Sequence, residues 1–198
     1  MVPLSRYIVF FSLAGGGCVV DLATKTWMFN HLGFGPDGQT WWLWTDVFGF
    51  QTSLNRGALF GIGQGMTPVF AALSIGAAAG ILVWLFFVGA AREWWLTIAL
   101  ASIVAGIFGN LYDRLGLPGL VYPEGYPGHL AGEPVYAVRD FILMVFDKWP
   151  WPTYNVADSL LVCGAAMLMW HAFFAKAEGS GAGGQGLEAG GQGLENEG

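Results

Sequence analysis

Thr67–Ala90 reads TPVFAALSIGAAAGILVWLFFVGA and carries no charged residue. A helix rises about 1.5 Å per residue, so roughly 20 apolar residues are needed to cross the hydrocarbon core of a bilayer. This stretch meets that length, and Trp94–Tyr112 next to it is equally free of charge. Only Ala91–Glu93 or so separates the two, which predicts a pair of antiparallel membrane spans. Upstream, Tyr7–Val20 is apolar, and its helix can run past Asp21 and Lys25 to about Leu32. Downstream, Ser159–Ala175 is apolar apart from His171 and can begin near Thr153. The prediction is four spans, at about 7–30, 67–90, 94–112 and 153–175, with long polar-side segments at 33–66 and 113–152.

Composition agrees. The 198 residues are 55% hydrophobic and only 11% charged, with mean hydropathy +0.52. Soluble domains carry about 25% charge, so this surface is made for lipid. Ten Trp and fifteen Phe fit the same environment, because Trp favours the membrane interface. The net charge of −6 owes much to Glu178, Glu188, Glu195 and Glu197 near the end of the chain. The body is near neutrality and has no basic run, which argues against a nucleic-acid partner. Arg6 before an apolar run could head a signal peptide, but Asp21-Leu22-Ala23-Thr24-Lys25 follows it without a clear small-x-small cleavage site. The run is read as a retained first helix.

With four spans both termini lie on one side. Arg6, Arg92 and Lys176 suit a cytoplasmic location for that side, while Arg56, Arg114, Arg139 and Lys148 fall on the other, so charge alone orients the chain weakly. In the 33–66 segment, Trp41, Trp42 and Trp44 are read as an interfacial belt. Val47–Leu54 partly alternates and ends at Asn55-Arg56-Gly57, which suggests strands and a turn at the membrane surface. The 113–152 segment is rich in Gly and Pro around Leu117–Gly128 and is expected to be mostly loop, with a short strand or helix over Val135–Phe146. The Gly-rich tail repeats Ala182–Glu188 as Ala189–Glu195 and is expected to be disordered over 178–198. Cys18 and Cys163 sit in apolar runs and are expected to be small buried hydrophobes. His31, His129 and His171 show no metal-ligand spacing.

The placement of polar residues carries the functional reading. Asp21 and Lys25 lie at one end of span one, spaced i, i+4. Asn110, Asp113 and Arg114 end span three, Asn155 and Asp158 open span four, and Asn55 and Asp140 lie in the segments on the same side. Each charge near the centre of a membrane helix costs about 2.5–3.5 kcal/mol, so such a gathering marks a function. Neither Ser53 nor Ser159 has a histidine placed beside it, which disfavours a Ser/His mechanism. Carboxylates are in surplus. Two held together share a proton, so one can act as base toward water and the other as acid toward a leaving amine. The competing class is a small transporter or proton-relay protein using the same aspartates. It would place charges near the midplane and show internal repeats, neither of which is seen in the spans.

Five stretches resemble the lipoprotein signal peptidase (signal peptidase II) family. They are Val20–Lys25, Asn55-Arg56-Gly57-Ala58-Leu59-Phe60-Gly61, Gly109-Asn110-Leu111-Tyr112-Asp113-Arg114, Val138-Arg139-Asp140-Phe141 and Tyr154-Asn155-Val156-Ala157-Asp158-Ser159. The resemblance covers about residues 6–175 and implies a mainly α membrane protein, with four transmembrane helices and a small extracytoplasmic β-structure. It further implies an aspartic endopeptidase with Asp140 and Asp158 as the catalytic pair. That enzyme removes the signal peptide of a prolipoprotein by cleaving before a diacylglyceryl-modified cysteine. It implies no cofactor, membrane lipids and a globomycin-type inhibitor as partners, and a bacterial inner membrane location with the site facing outward. Asn55, Gly57, Asn110, Asp113, Arg114, Asn155 and Ala157 would bind substrate or support the pair. Asp113 with Arg114 is read mainly as structural ion pairing and hydrogen bonding, and Asp21 with Lys25 as structural polar groups near the interface. The bland alternative for Asp158 is a helix cap. The chain departs from the family pattern in its longer stretch between Arg114 and Asp140, in Tyr154 where Phe is usual, and in Arg139. The last could act on Asp140, although neighbours on a strand face opposite ways.

Overall fold

A computed structural model describes residues 1–57 and 63–182, of which 175–182 by backbone alone. Residues 58–62 and 183–198 lie outside the description, and with them the end of the Asn55–Gly61 motif and most of the Gly-rich tail. Four helices are long and apolar enough to cross a membrane. They are α1 (Leu4–Leu32), α2 (Thr67–Leu82, extended by a wider π-helical turn over Val83–Val88), α3 (Trp94–Arg114) and α4 (Val156–Ala182). The helical backbone of α4 thus covers the first residues of the stretch expected to be disordered. Ala175-Lys176-Ala177-Glu178 are strong helix formers ahead of the glycines.

The central helix is α3. About 56% of its apolar window is buried, against 17%, 17% and 11% for α1, α2 and α4. Lipid tails are as apolar as a leucine, so membrane helices associate through close packing, which small residues allow. A Cβ added to Gly106 would strike the Ala157 carbonyl and Leu161. One at Gly109 would strike the Asp21 carboxylate, and one at Gly17 would come within 2.8 Å of the Ala105 methyl. These glycines bring α1, α3 and α4 together at the level of the polar residues. Toward the other end, Phe10, Leu85, Leu100 and Val104 form an apolar cluster. The cysteines depart from expectation: Cys18 is only partly buried and Cys163 is exposed. An apolar run facing lipid need not be inside the protein.

Four strands form one antiparallel sheet in chain order: β1 (Thr40–Trp44), β2 (Phe48–Asn55), β3 (Val138–Phe146) and β4 (Trp149–Pro150). Val135–Phe146, left open between strand and helix, therefore supplies β3. Its turn into β4 uses Asp147 and Lys148 at positive φ, 44° and 69°, the twist that suits a two-residue hairpin. The β2–β3 register sets Ser53 opposite Asp140 and Asn55 opposite Val138. The 115–137 segment is a closed loop, as expected. Val121 bridges Pro134, and Tyr122, Val135 and Ala137 form its own small core.

Candidate active site

The sheet caps the bundle end at which α1 and α3 finish and α4 begins, so the polar residues of five separate segments meet there. Asn155, immediately before α4, is the junction. Its Nδ2 donates to Asp140 Oδ1 at 2.6 Å and to Asn110 Oδ1 at 3.2 Å. Its Oδ1 accepts the Asp158 backbone N–H at 2.9 Å, and its own N–H donates to Asp158 Oδ2 at 3.2 Å. That reciprocal pair is a capping box. Asp158 therefore does cap α4, and it does more: its Oδ1 accepts Asn110 Nδ2 at 2.8 Å. Asp140 and Asp158 are joined through one residue, Asn155, whose side-chain amide donates to the first and whose backbone N–H donates to the second, with Asn110 steadying the second.

The two carboxyls differ in surroundings. Asp140 is 1% exposed. Burial, then the Asp158 charge, pushes its carboxyl up to about 8, against the pull of hydrogen bonds from Asn155 and Asn55 and the charge of Lys25. Water can no longer solvate the anion there, and a second carboxylate penalises it further. Asp158 lines a cleft of about 390 Å³ with Asn55, Asn110, Arg114, Trp151 and Tyr154. Asp140 borders a neighbouring cavity of about 240 Å³ with Ser53, Asn55 and Gln64. Asn55, Pro152 and Thr153 line both cavities, so the two cavities share a wall.

Beneath the pair lies a chain of buried ions. Lys25 Nζ contacts Asp21 Oδ2 at 2.7 Å and Asp113 Oδ2 at 3.0 Å, and Arg139 Nε contacts Asp113 Oδ1 at 2.8 Å. Two acids and two bases cancel, which tempers the several kcal/mol that desolvating each ion costs. The ion pair expected of Asp113 forms with Lys25 and Arg139 rather than with its neighbour Arg114. Asp21 and Lys25 are tied between the helices at the polar end of the bundle: Asp21 Oδ1 accepts the Ala157 N–H at 2.8 Å. Arg139 faces away from Asp140, as strand alternation requires, and its Nη1 reaches Thr26 at 3.2 Å.

The remaining predicted residues fall around this centre. Gly57 N–H donates to Asn55 Oδ1 at 2.9 Å, and its carbonyl accepts Arg114 Nη2 at 3.1 Å. The Arg114 Nε is buried without a hydrogen-bond partner among the described residues, which leaves a donor beside the cleft. Ala157 is fully buried against Gly106 and Gly109, a packing place and not a contact to the cleft. Residues that sequence reasoning missed are Gln64, Met144 and Trp151 along the cavities. Met144 shares the strand face of Asp140, four residues on, whereas Gln64 and Trp151 have no local signal. Trp41 packs edge-on to Trp27, and Trp42 covers Gly49, so of the expected belt Trp44, 69% exposed, stands freest.

This geometry has known counterparts. The chain matches the profile described as signal peptidase (SPase) II over residues 13–174. It is 47% identical over 175 residues to the lipoprotein signal peptidase of Rhodopirellula baltica, covering 86% of this chain and 74% of that one. It is 35% identical over 144 residues to the lipoprotein signal peptidase of Pseudomonas aeruginosa strain PAO1, covering 70% and 74%. A solved bacterial membrane enzyme shares the fold at TM-score 0.67 and 21% identity, covering 86% of this chain and 90% of that chain. With four spanning helices, a sheet over their polar end and these relatives, the chain belongs to the signal peptidase II family, a family of multi-pass membrane proteases.

Proposed function

We propose that this signal peptidase is an aspartic endopeptidase, in which Asp140 and Asp158 hydrolyse the bond before the diacylglyceryl-modified cysteine of a prolipoprotein and release its signal peptide. The observation that carries this reading is the pair of carboxyls joined through Asn155, one of them raised to about 8. Asp140 is the better seat for a shared proton at neutral pH. Asp158, open to the cleft, takes a proton from water as that water attacks the scissile carbonyl. The shared proton then passes to the leaving amine, and the pair returns to its starting state. Arg114, with an unused donor beside the cleft, is placed to hold a substrate carbonyl oxygen.

The wider cleft has a mainly apolar wall of Met144, Trp151, Val162 and Cys163, which suits a substrate segment that arrives from lipid. A globomycin-type inhibitor would occupy the same cleft. Arg6, which donates to the Ala91 and Arg92 carbonyls and lies 3.4 Å over the Trp94 ring, marks the opposite end of the bundle with positive charge. That supports a cytoplasmic location for that end and an outward-facing site in a bacterial inner membrane. The transporter reading loses ground because the buried charges stand at one end of the spans and form closed pairs.

The test is cleavage in lipid of a prolipoprotein peptide with and without its diacylglyceryl group, with products identified by mass. The expected result is a single cut before the modified cysteine and none in the unmodified peptide. A cut elsewhere, or equal cutting of both peptides, would overturn the substrate assignment.

A further inference from the structure

One side chain touches three residues that each contact the segments holding the carboxyl pair. Lys25 Nζ donates to Asn110 Oδ1 at 2.8 Å and forms ion pairs with Asp21 Oδ2 at 2.7 Å and Asp113 Oδ2 at 3.0 Å. Each acceptor passes the contact on. Asn110 Nδ2 donates to Asp158 at 2.8 Å. Asp113 Oδ2 also accepts the backbone N–H of Arg139 at 3.1 Å, one residue before Asp140. Asp21 accepts the N–H of Ala157, one residue before Asp158.

We propose that Lys25 is a positioning residue of the peptidase, whose ammonium sets the placement of both Asp140 and Asp158 through Asn110, Asp113 and Asp21. The proposal rests on the assignment of those two aspartates as the catalytic pair. The chemistry of the donors makes it directional. An ammonium can only donate, so Asn110 must turn its oxygen toward Lys25. Its NH2 is thereby sent to the other side, where Asp158 accepts it. An Asn110 amide turned the other way would face Lys25 with a second donor and Asp158 with a second acceptor. Charge balance alone asks less of Lys25, because Asp113 already has Arg139. The hydrogen bond and both ion pairs lie inside a fully buried site, and each reaches a different support of the pair.

The proposal separates from a merely structural role in two readouts. Misplacing a reacting group by about 1 Å costs on the order of 10²-fold in turnover, so kcat should fall while KM stays within a few-fold. The second readout is the pH profile. The charged groups acting on Asp140 are Asp158, Lys25 and Arg114, with Asn55 and Asn155 as hydrogen-bonding amides; Arg139 turns away toward Asp113 and Thr26. The Lys25 charge favours the Asp140 anion, so removing it should move the alkaline limb of kcat to higher pH.

The experiment is kcat, KM and pH profile for the full chain in lipid on a diacylglyceryl-modified peptide, for the parent and Lys25→Met. Lys25→Met leaves buried carboxylates short of a partner and is prone to misfold, so Asp21→Asn/Lys25→Met is measured beside it. The double change removes one charge of each sign and leaves Asp113 paired with Arg139. Asp140→Asn and Asp158→Asn serve as controls. Roughly 10²-fold lower kcat, near-parental KM and an upward-shifted alkaline limb in a folded Lys25 variant are the expected result. Parental kcat and an unmoved limb in a folded variant would overturn the proposal, with the pair assignment intact if both controls are inactive. Active controls would instead overturn the pair assignment itself.

Discussion

The two ends of this bundle are built from opposite materials. At one end Phe10, Leu85, Leu100 and Val104 pack without a polar atom among them. At the other Asp21, Lys25, Asp113, Arg139 and Asp140 are buried with Asn110 and Asn155. Apolar packing needs no partner and tolerates small shifts, whereas every buried polar group must be matched or it destabilises the fold. The apolar end packs α1, α2 and α3 together at no electrostatic cost. The polar end costs stability, and the proposed catalysis would account for keeping Asp140 in a site that raises its carboxyl to about 8.

The largest effects should break the polar end. Asp158→Asn and Asp140→Asn are each expected to lower kcat by at least about 10³-fold, within the range for loss of an acid or base, while circular dichroism shows the helices retained. Residual turnover above a tenth of the parent in either would contradict the pairing of roles. Next comes Ala157→Leu, which forces a large side chain between α3 and α4 where Gly106 and Gly109 leave no room. Overpacking of this kind costs about 1–3 kcal/mol or more, and yield of folded protein in detergent should drop together with activity. Phe10→Ala should cost roughly 3 kcal/mol in thermal stability yet leave kcat per folded molecule unchanged, because that cluster lies at the other end. A matching fall in kcat would show that the two ends are not independent.

A smaller effect sharpens the contrast. Unfolded, the Asp140 carboxyl loses its proton near pH 4; folded, it keeps it to about 8. Between those values the folded state binds the extra proton, so stability falls as pH rises from about 4 to 8. Asn cannot ionise. The melting temperature of Asp140→Asn should therefore gain on the parent from pH 5 to pH 8, and equal slopes would mean that burial does not raise this carboxyl.

Much of this was readable from the chain. The spans show because a charge-free run such as Thr67–Ala90 has few other uses, and Asp140 and Asp158, which the structure brings together around Asn155, were singled out because the motifs around them are specific in combination. What was hidden is partner choice. Asp113 sits beside Arg114 in sequence but pairs with Lys25 and Arg139, because the helix turns its carboxylate toward α1 and β3. Gln64 and Trp151 reach the cavities only through the path of the loops, which no local pattern encodes. The cysteines misled because an apolar run in a membrane protein does not tell lipid from core.

The central claim is that Asp140 and Asp158 act as one proton-sharing pair, and the pH dependence of kcat on a lipid-modified peptide tests it most directly. The account predicts turnover that falls on the alkaline side with an apparent pKa near 8, as the shared proton is lost. A profile that stays flat from neutral pH to well above that value would contradict it.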